Sequence, residues 1–97
     1  GSGPAYQYLF MEALTDAGVR LGLTRQQAAK LTLGMVRGAA NLAAESQESF
    51  NELRYKVTTP GGTTAAAVSS LEKGAFRALI DEAAEACYNK SQQLAKM

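Results

Sequence analysis

The segment best suited to chemistry is residues 57–64, Val-Thr-Thr-Pro-Gly-Gly-Thr-Thr, which combines two glycines with four hydroxyl side chains. Its proline ends any preceding helix, because its φ is fixed and it has no N–H. Gly61 and Gly62 can adopt positive φ, so that backbone amides there can turn toward a ligand. The alanine-rich run that follows is predicted to be a helix capped by Thr63 or Thr64. Its first amides lack internal partners and favour negative charge, so the pattern predicts an anion site; a plain capped turn is the alternative.

The composition excludes most other chemistry. The 97 residues suffice for one domain, and 46% hydrophobic with 20% charged residues is typical of a globular chain. The absence of histidine excludes His-based metal sites and Ser-His or Cys-His nucleophiles, and the carboxylates are too scattered to indicate an acid–base pair. No metal site is predicted. Ten basic and nine acidic residues leave a net charge of +1, which does not favour a nucleic-acid-binding bundle.

The single cysteine, Cys87, excludes an internal disulfide and fits a reducing compartment, so we expect a cytoplasmic location. Its alanine-rich surroundings predict a small buried core residue rather than a reactive thiol. No apolar run approaches the roughly 20 residues that span a bilayer.

The spacing of apolar residues predicts an all-α fold of about five helices. Thr24 and Gln27 have the spacing of a capping box, as do Ser49 and Glu52. Gly22 and Gly74 are expected to end helices. Asp16 is expected to pair with Arg20, and Arg77 with Asp81. The predicted helices cover about residues 4–21, 25–45, 50–57, 63–73 and 75–95.

The second predicted helix is apolar on more than one face, which is typical of a buried helix. A 97-residue chain has too little material to cover it on every side, so we expect a partner chain. Gly34 and Gly38 would let another helix approach closely; tight packing within one chain is the alternative.

Three other segments of the chain add to what the glycine–threonine segment indicates. Residues 1–5 (Gly-Ser-Gly-Pro-Ala), 16–23 (Asp-Ala-Gly-Val-Arg-Leu-Gly-Leu), 57–64 and 71–77 (Leu-Glu-Lys-Gly-Ala-Phe-Arg) together resemble the C-terminal domain of pyrroline-5-carboxylate reductase. The resemblance covers essentially the whole chain, and residues 57–64 are its most specific part. Where Thr59 stands the family usually has serine, so a hydroxyl is retained.

The resemblance implies an enzyme that reduces the cyclic imine 1-pyrroline-5-carboxylate to L-proline, the last step of proline biosynthesis, with NADPH or NADH. In the family the cofactor, NADP or NAD, is bound mainly by an N-terminal Rossmann domain with a glycine fingerprint. No Gly-x-Gly-x-x-Gly occurs in these residues. Residues 1–97 are therefore expected to be the C-terminal dimerisation and substrate-binding domain without the Rossmann domain, and to be inactive alone.

The resemblance also implies site residues and partners. The substrate carboxylate would be held by the segment's backbone and hydroxyl donors, with Thr64 beside the ring as the catalytic residue. Gln47, where some relatives carry glutamate, would approach the neighbouring chain's site. The fold would resemble the 6-phosphogluconate dehydrogenase C-terminal domain, interlocked in a homodimer, with room for a higher assembly of dimers. The implied substrate-binding residues are Thr59, Gly61, Gly62, Thr63, Thr64 and Gln47.

A second hypothesis, from another functional class, stays open at this point. The chain would then be a non-enzymatic helical dimerisation module, and its glycine–threonine segment only a capped turn. Both hypotheses predict a dimer.

Overall fold

The computed structural model describes residues 2–97, which form five α-helices and no strand. The helices are α1 (Gly3–Arg20), α2 (Arg25–Glu45), α3 (Phe50–Lys56), α4 (Thr63–Lys73) and α5 (Phe76–Ala95). The predicted all-α architecture is confirmed, with every boundary within one residue of the prediction. Gly1, part of the N-terminal resemblance, lies outside the described residues.

The chain divides into two units, Gly1–Phe50 and Asn51–Met97. In the first unit α1 packs against α2. Their contact is close, since a Cβ at Gly18 would lie 3.1 Å from the Ala28 Cβ. Ala28 is only 2% exposed, and the neighbouring buried pair is polar: the Thr15 hydroxyl donates to the Thr32 hydroxyl at 3.1 Å. The buried hydroxyls therefore satisfy one another across the helix pair.

The connection between α1 and α2 supplies capping hydrogen bonds to the end of α1 and to the start of α2. Gly22, at φ 114°, follows the last turn of α1, and the amides of Gly22 and Leu23 donate to the carbonyls of Val19 and Gly18, both at 3.0 Å. This is the hydrogen-bond pattern of a Schellman motif, which confirms Gly22 as the helix stop.

The predicted capping box at the start of α2 is present. The Gln27 amide donates to the Thr24 hydroxyl at 3.1 Å, and the Thr24 amide donates to the Gln27 side chain at 3.0 Å. The predicted partner of Asp16 is wrong: Asp16 accepts from Arg25 at 3.0 Å, not from Arg20. The tight turn brings the first residue of α2 to the end of α1, which local helix spacing does not reveal.

In the second unit α4 packs against α5, and no residue of Asn51–Met97 is fully buried. Gly74 follows α4 as predicted, but its φ is an ordinary −80°; the left-handed residue is Ala75, at φ 62°. Helix α5 therefore begins at Phe76, one residue later than predicted. Cys87 is half-buried, so its expected place in a closed core is wrong for this chain on its own. No helix in residues 2–97 has both the length and the apolar character to cross a membrane.

Candidate functional site

The candidate site begins where α3 ends. The amides of Val57 and Thr58 donate to the carbonyls of Arg54 and Tyr55 at 3.2 and 3.1 Å. The Thr58 hydroxyl also donates to the Arg54 carbonyl, at 2.6 Å. Of the four threonine hydroxyls in the segment, that of Thr58 therefore serves the end of the preceding helix.

Residues 59–62 form a tight turn. The Gly62 amide donates to the Thr59 carbonyl at 3.0 Å, with Pro60 and Gly61 between them and Gly61 at φ 72°. Proline at the second position and positive-φ glycine at the third are the features of a type II turn. The turn uses the restricted φ of proline and the freedom of glycine at adjacent positions.

Gly62 is required for a different reason. Its φ of −86° suits any residue, but the place of a Cβ is taken by the Thr59 hydroxyl, and the Thr59 carbonyl oxygen lies 3.2 Å from that place. The Thr59 side chain therefore lies directly over the start of α4. A larger residue at position 62 would displace it.

The expected threonine cap of α4 is wrong. Gly62 occupies the N-cap position, with no side-chain cap, while Thr63 and Thr64 are the first two helical residues. The turn of residues 59–62 ends at Gly62, so Gly62 rather than a threonine precedes the first residue of the helix.

The start of α4 consequently keeps unused donors. The first amide to donate within the helix is that of Ala66, to the Gly62 carbonyl at 3.2 Å. Within the described part of the chain, the amides of Thr63, Thr64 and Ala65 have no backbone partner. These amides and the helix dipole favour an anion at this position.

Five of the six predicted substrate-binding residues are thus brought together. Thr59, Gly61 and Thr63 are exposed, whereas Gly62 and Thr64 are half-buried. The sixth, Gln47, is exposed in the bend after α2 and belongs to the other unit. Its contact with substrate stays a prediction.

A charged cluster at the opposite end of α4 was not anticipated from the sequence. Arg77 pairs with Glu72 through its Nε, at 2.9 and 3.0 Å, rather than with Asp81. This hydrogen bond lowers the pKa of the Glu72 carboxyl, as does the charge of Arg54, and it raises the pKa of Arg77. The spacing of five residues spans the left-handed turn at Ala75, so a regular-helix pattern cannot reveal the pair.

Comparison with known proteins decides the family. A family model described as pyrroline-5-carboxylate reductase dimerisation matches residues 1–94. The chain belongs to this family. A pyrroline-5-carboxylate reductase of Synechocystis is 52% identical over 96 residues, which cover 99% of this chain and 36% of the relative.

Solved structures give the same result. The dimerisation domain resembles a pyrroline-5-carboxylate reductase from Coxiella burnetii, with a TM-score of 0.93 and 48% identity over 97% of this chain and 35% of that one. A Plasmodium falciparum pyrroline carboxylate reductase with NADP bound gives a TM-score of 0.86 and 41% identity over 89% of this chain and 33% of that one. The chain spans about a third of the length of these relatives.

Proposed function

We propose that this chain is the dimerisation and substrate-binding domain of a pyrroline-5-carboxylate reductase, which reduces 1-pyrroline-5-carboxylate to L-proline in the cytoplasm. Membership of the family supports the reaction. The observation that carries the substrate-binding part is the uncapped N-terminus of α4, which follows the tight turn of residues 59–62.

The substrate carboxylate binds at this helix start. Its negative charge is matched by the amides of Thr63, Thr64 and Ala65, and by the positive end of the helix dipole. The hydroxyls of Thr59 and Thr63 are additional donors. Gly61 has no side chain to obstruct the approach, and the space beside Gly62 is occupied by the Thr59 hydroxyl, which can donate to the carboxylate.

Thr64 is the catalytic residue in this proposal, in the sense that it contacts the ring that reacts. It orients the imine, while the carboxylate is fixed by the helix start. A hydride adds to the carbon of the C=N bond and the nitrogen carries a proton, which gives proline. Because an imine can already be protonated near neutral pH, the lack of histidine is no obstacle. Positioning of this kind can lower a barrier by roughly 7–11 kcal/mol.

The residues of this chain do not fit a dinucleotide. They contain no Gly-x-Gly-x-x-Gly, and residues 2–97 contain no strand to carry such a loop. We therefore assign NADP, the hydride donor, to a Rossmann domain outside residues 1–97. The NADP-bound relative, of which this chain matches about a third, supports the assignment of NADP to a different domain.

A homodimer completes the proposal. Twenty large apolar residues are exposed in the described part of the chain. A second copy would cover much of this surface, and Gln47 would then approach the partner's site.

The substitution Thr64→Ala in the full-length reductase tests the site. Loss of a hydrogen bond to a charged substrate costs about 1.5–3 kcal/mol, so we expect kcat/KM to fall about 10- to 100-fold, with partial rescue by Thr64→Ser. Thr58→Ala is the matched control, because the Thr58 hydroxyl donates to the Arg54 carbonyl. If Thr64→Ala keeps full activity and full affinity for proline, the site is wrongly assigned and the chain is better described as a dimerisation module.

A further inference from the structure

A small cleft, here called the arginine cleft, lies between α3, α4 and α5. It belongs entirely to the unit Asn51–Met97 and is separate from the candidate site at the start of α4. Its volume is about 270 Å³, just below the roughly 300–1,000 Å³ of pockets for drug-sized ligands, so it has room for a small molecule. The lining residues are Arg54, Val68, Leu71, Glu72, Phe76 and Arg77.

The side chains that line the arginine cleft carry one positive charge in excess. Glu72 is the one carboxylate among them, and both of its oxygens accept from Nε of Arg77, at 2.9 and 3.0 Å. The Arg54 guanidinium is close enough for its charge to lower the pKa of Glu72. It nevertheless has no hydrogen bond or ion pair with any side chain in residues 2–97. Two guanidinium groups therefore adjoin a single carboxylate, and one of the two is uncompensated.

Arg77 also retains donors that a ligand can use. Its Nε serves Glu72, whereas the two terminal nitrogens of its guanidinium have no partner in the described part of the chain. The planar arrangement of those N–H groups matches the two oxygens of a carboxylate. The hydrogen bonds to Glu72 hold the guanidinium in one orientation, so its free edge is fixed in place.

The rest of the cleft wall is apolar and only partly covered. Val68 is half-buried, and Phe76 and Leu71 are 38% and 48% exposed. A hydrocarbon group that entered the cleft would remove part of this apolar surface from water. It would also displace water from beside the guanidinium groups, which strengthens their interaction with an anion.

We propose that the arginine cleft binds a small carboxylate with a short hydrocarbon body. The carboxylate accepts from Arg54 and from the terminal nitrogens of Arg77, while the hydrocarbon body covers Leu71 and Phe76. Inorganic phosphate has no group for the apolar wall. A zwitterion such as proline would place its ammonium group beside two arginines, with the Glu72 oxygens already engaged. Both are therefore expected to bind more weakly than a simple apolar carboxylate.

Titration of the full-length reductase with isovalerate tests the ligand chemistry. Isovalerate combines a carboxylate with a branched hydrocarbon body, and isovaleramide has the same body without the charge. Acetate keeps the charge but has almost no body. We expect isovalerate to bind more tightly than either control, as measured by calorimetry or by saturation-transfer NMR. No binding of isovalerate at about 10 mM, tenfold above a millimolar dissociation constant, would overturn the proposal.

Matched substitutions assign the binding to the cleft. Arg54→Gln and Arg77→Gln each remove a charge-assisted hydrogen bond, so each should raise the dissociation constant of isovalerate about tenfold. Arg25→Gln, at an exposed arginine of the other unit, is the control and should leave the constant unchanged. Glu72→Gln should instead lower the constant about threefold, because it removes a negative charge beside the ligand. If Glu72→Gln weakens binding, or if Arg54→Gln behaves like Arg25→Gln, the assigned site is wrong.

Thr64→Ala distinguishes the arginine cleft from the proposed substrate site. It should weaken the binding of proline and leave that of isovalerate unchanged, whereas Arg54→Gln should do the reverse. Loss of isovalerate binding in Thr64→Ala would show that this carboxylate binds at the start of α4. That result would refute the cleft as a ligand site and leave the proposed function standing.

Discussion

The connection between α1 and α2 and the connection between α3 and α4 both join two helices through a glycine with positive φ. In the first, residues 21–24 cap both helix ends, by a Schellman motif at Gly22 and Leu23 and a capping box that begins at Thr24. In the second, residues 57–62 complete the end of α3 but leave the start of α4 without a side-chain cap.

The difference separates a connection that serves only the fold from one that can bind a ligand. An N-cap side chain at α4 would occupy the amides that an anion needs. In the α1–α2 connection the Thr24 hydroxyl already accepts from the Gln27 amide, so a side chain takes the place at the helix start where an anion would bind. Because its N-cap residue is glycine, the α3–α4 connection gives up only about a few tenths of a kcal/mol of capping stabilisation, and it retains its donors.

The largest expected effect comes from replacing one glycine of each connection, Gly62 or Gly22, by alanine. In the full-length reductase, Gly62→Ala forces the Thr59 side chain away from the start of α4, so we expect kcat/KM to fall about 10- to 100-fold. Gly22→Ala places an alanine at φ 114°, which should cost about 1–2 kcal/mol in the free energy of unfolding and leave KM unchanged. Steady-state kinetics and denaturant melts distinguish the two outcomes.

A double-mutant cycle shows whether Gly62 acts through Thr59. If it does, Gly62→Ala combined with Thr59→Ala should cost clearly less than the sum of the two single losses, because the obstructing hydroxyl is gone and only the Thr59 carbonyl, 3.2 Å from the Cβ position, still crowds the new methyl group. Additive losses would contradict this mechanism. A fall in activity for Gly22→Ala as large as that for Gly62→Ala would remove the distinction between the two connections.

A smaller effect is expected at the two threonines that begin α2 and α4. Thr24→Ala removes a side-chain cap and should cost about 1 kcal/mol in the free energy of unfolding. Thr63→Ala removes no cap, so the free energy of unfolding should change by less than about 0.5 kcal/mol, while proline binding weakens. Chemical denaturation and calorimetric titration check the two values. The comparison fails if Thr63→Ala destabilises the chain as much as Thr24→Ala does.

The helices of this chain could be predicted from its sequence because their ends carry local signals. The Thr24 and Gln27 pair, Gly22 and the proline before α4 each depend on neighbours within a few residues. The candidate loop was found for the same reason: its residues are consecutive, and their types suit an anion.

The predictions that were wrong concern residues next to a turn, where regular helical spacing does not hold. The threonine cap was assigned wrongly because the turn of residues 59–62 moves the N-cap to Gly62. Gly74 ends α4 as predicted, but the left-handed residue of that turn is Ala75, which the sequence analysis did not identify. The ion-pair partners of Asp16 and Arg77 lie across such turns, at separations of nine and five residues. The contact proposed for Gln47 depends on a second copy, which no local pattern describes.

The smallest expected effect concerns the ion pairs that accompany two helix connections, Asp16 with Arg25 and Glu72 with Arg77. The Arg77 hydrogen bond holds the pKa of Glu72 below its ordinary value of 4.5. The pair therefore stabilises the folded chain above that ordinary pKa, and its contribution is lost as the pH falls through the lowered pKa. Both side chains are substantially exposed, so the contribution is small.

Arg77→Met should accordingly raise the pKa of Glu72 toward 4.5, as followed by NMR titration of its side-chain carboxyl carbon. Arg25→Met, which breaks the ion pair of the other unit, is the matched control and should leave the Glu72 titration unchanged. An unaltered Glu72 titration in Arg77→Met would show that the pair does not persist in solution. The left-handed turn at Ala75 would then depend on its backbone hydrogen bonds alone, among them that of the Ala75 amide to the Glu72 carbonyl at 3.1 Å.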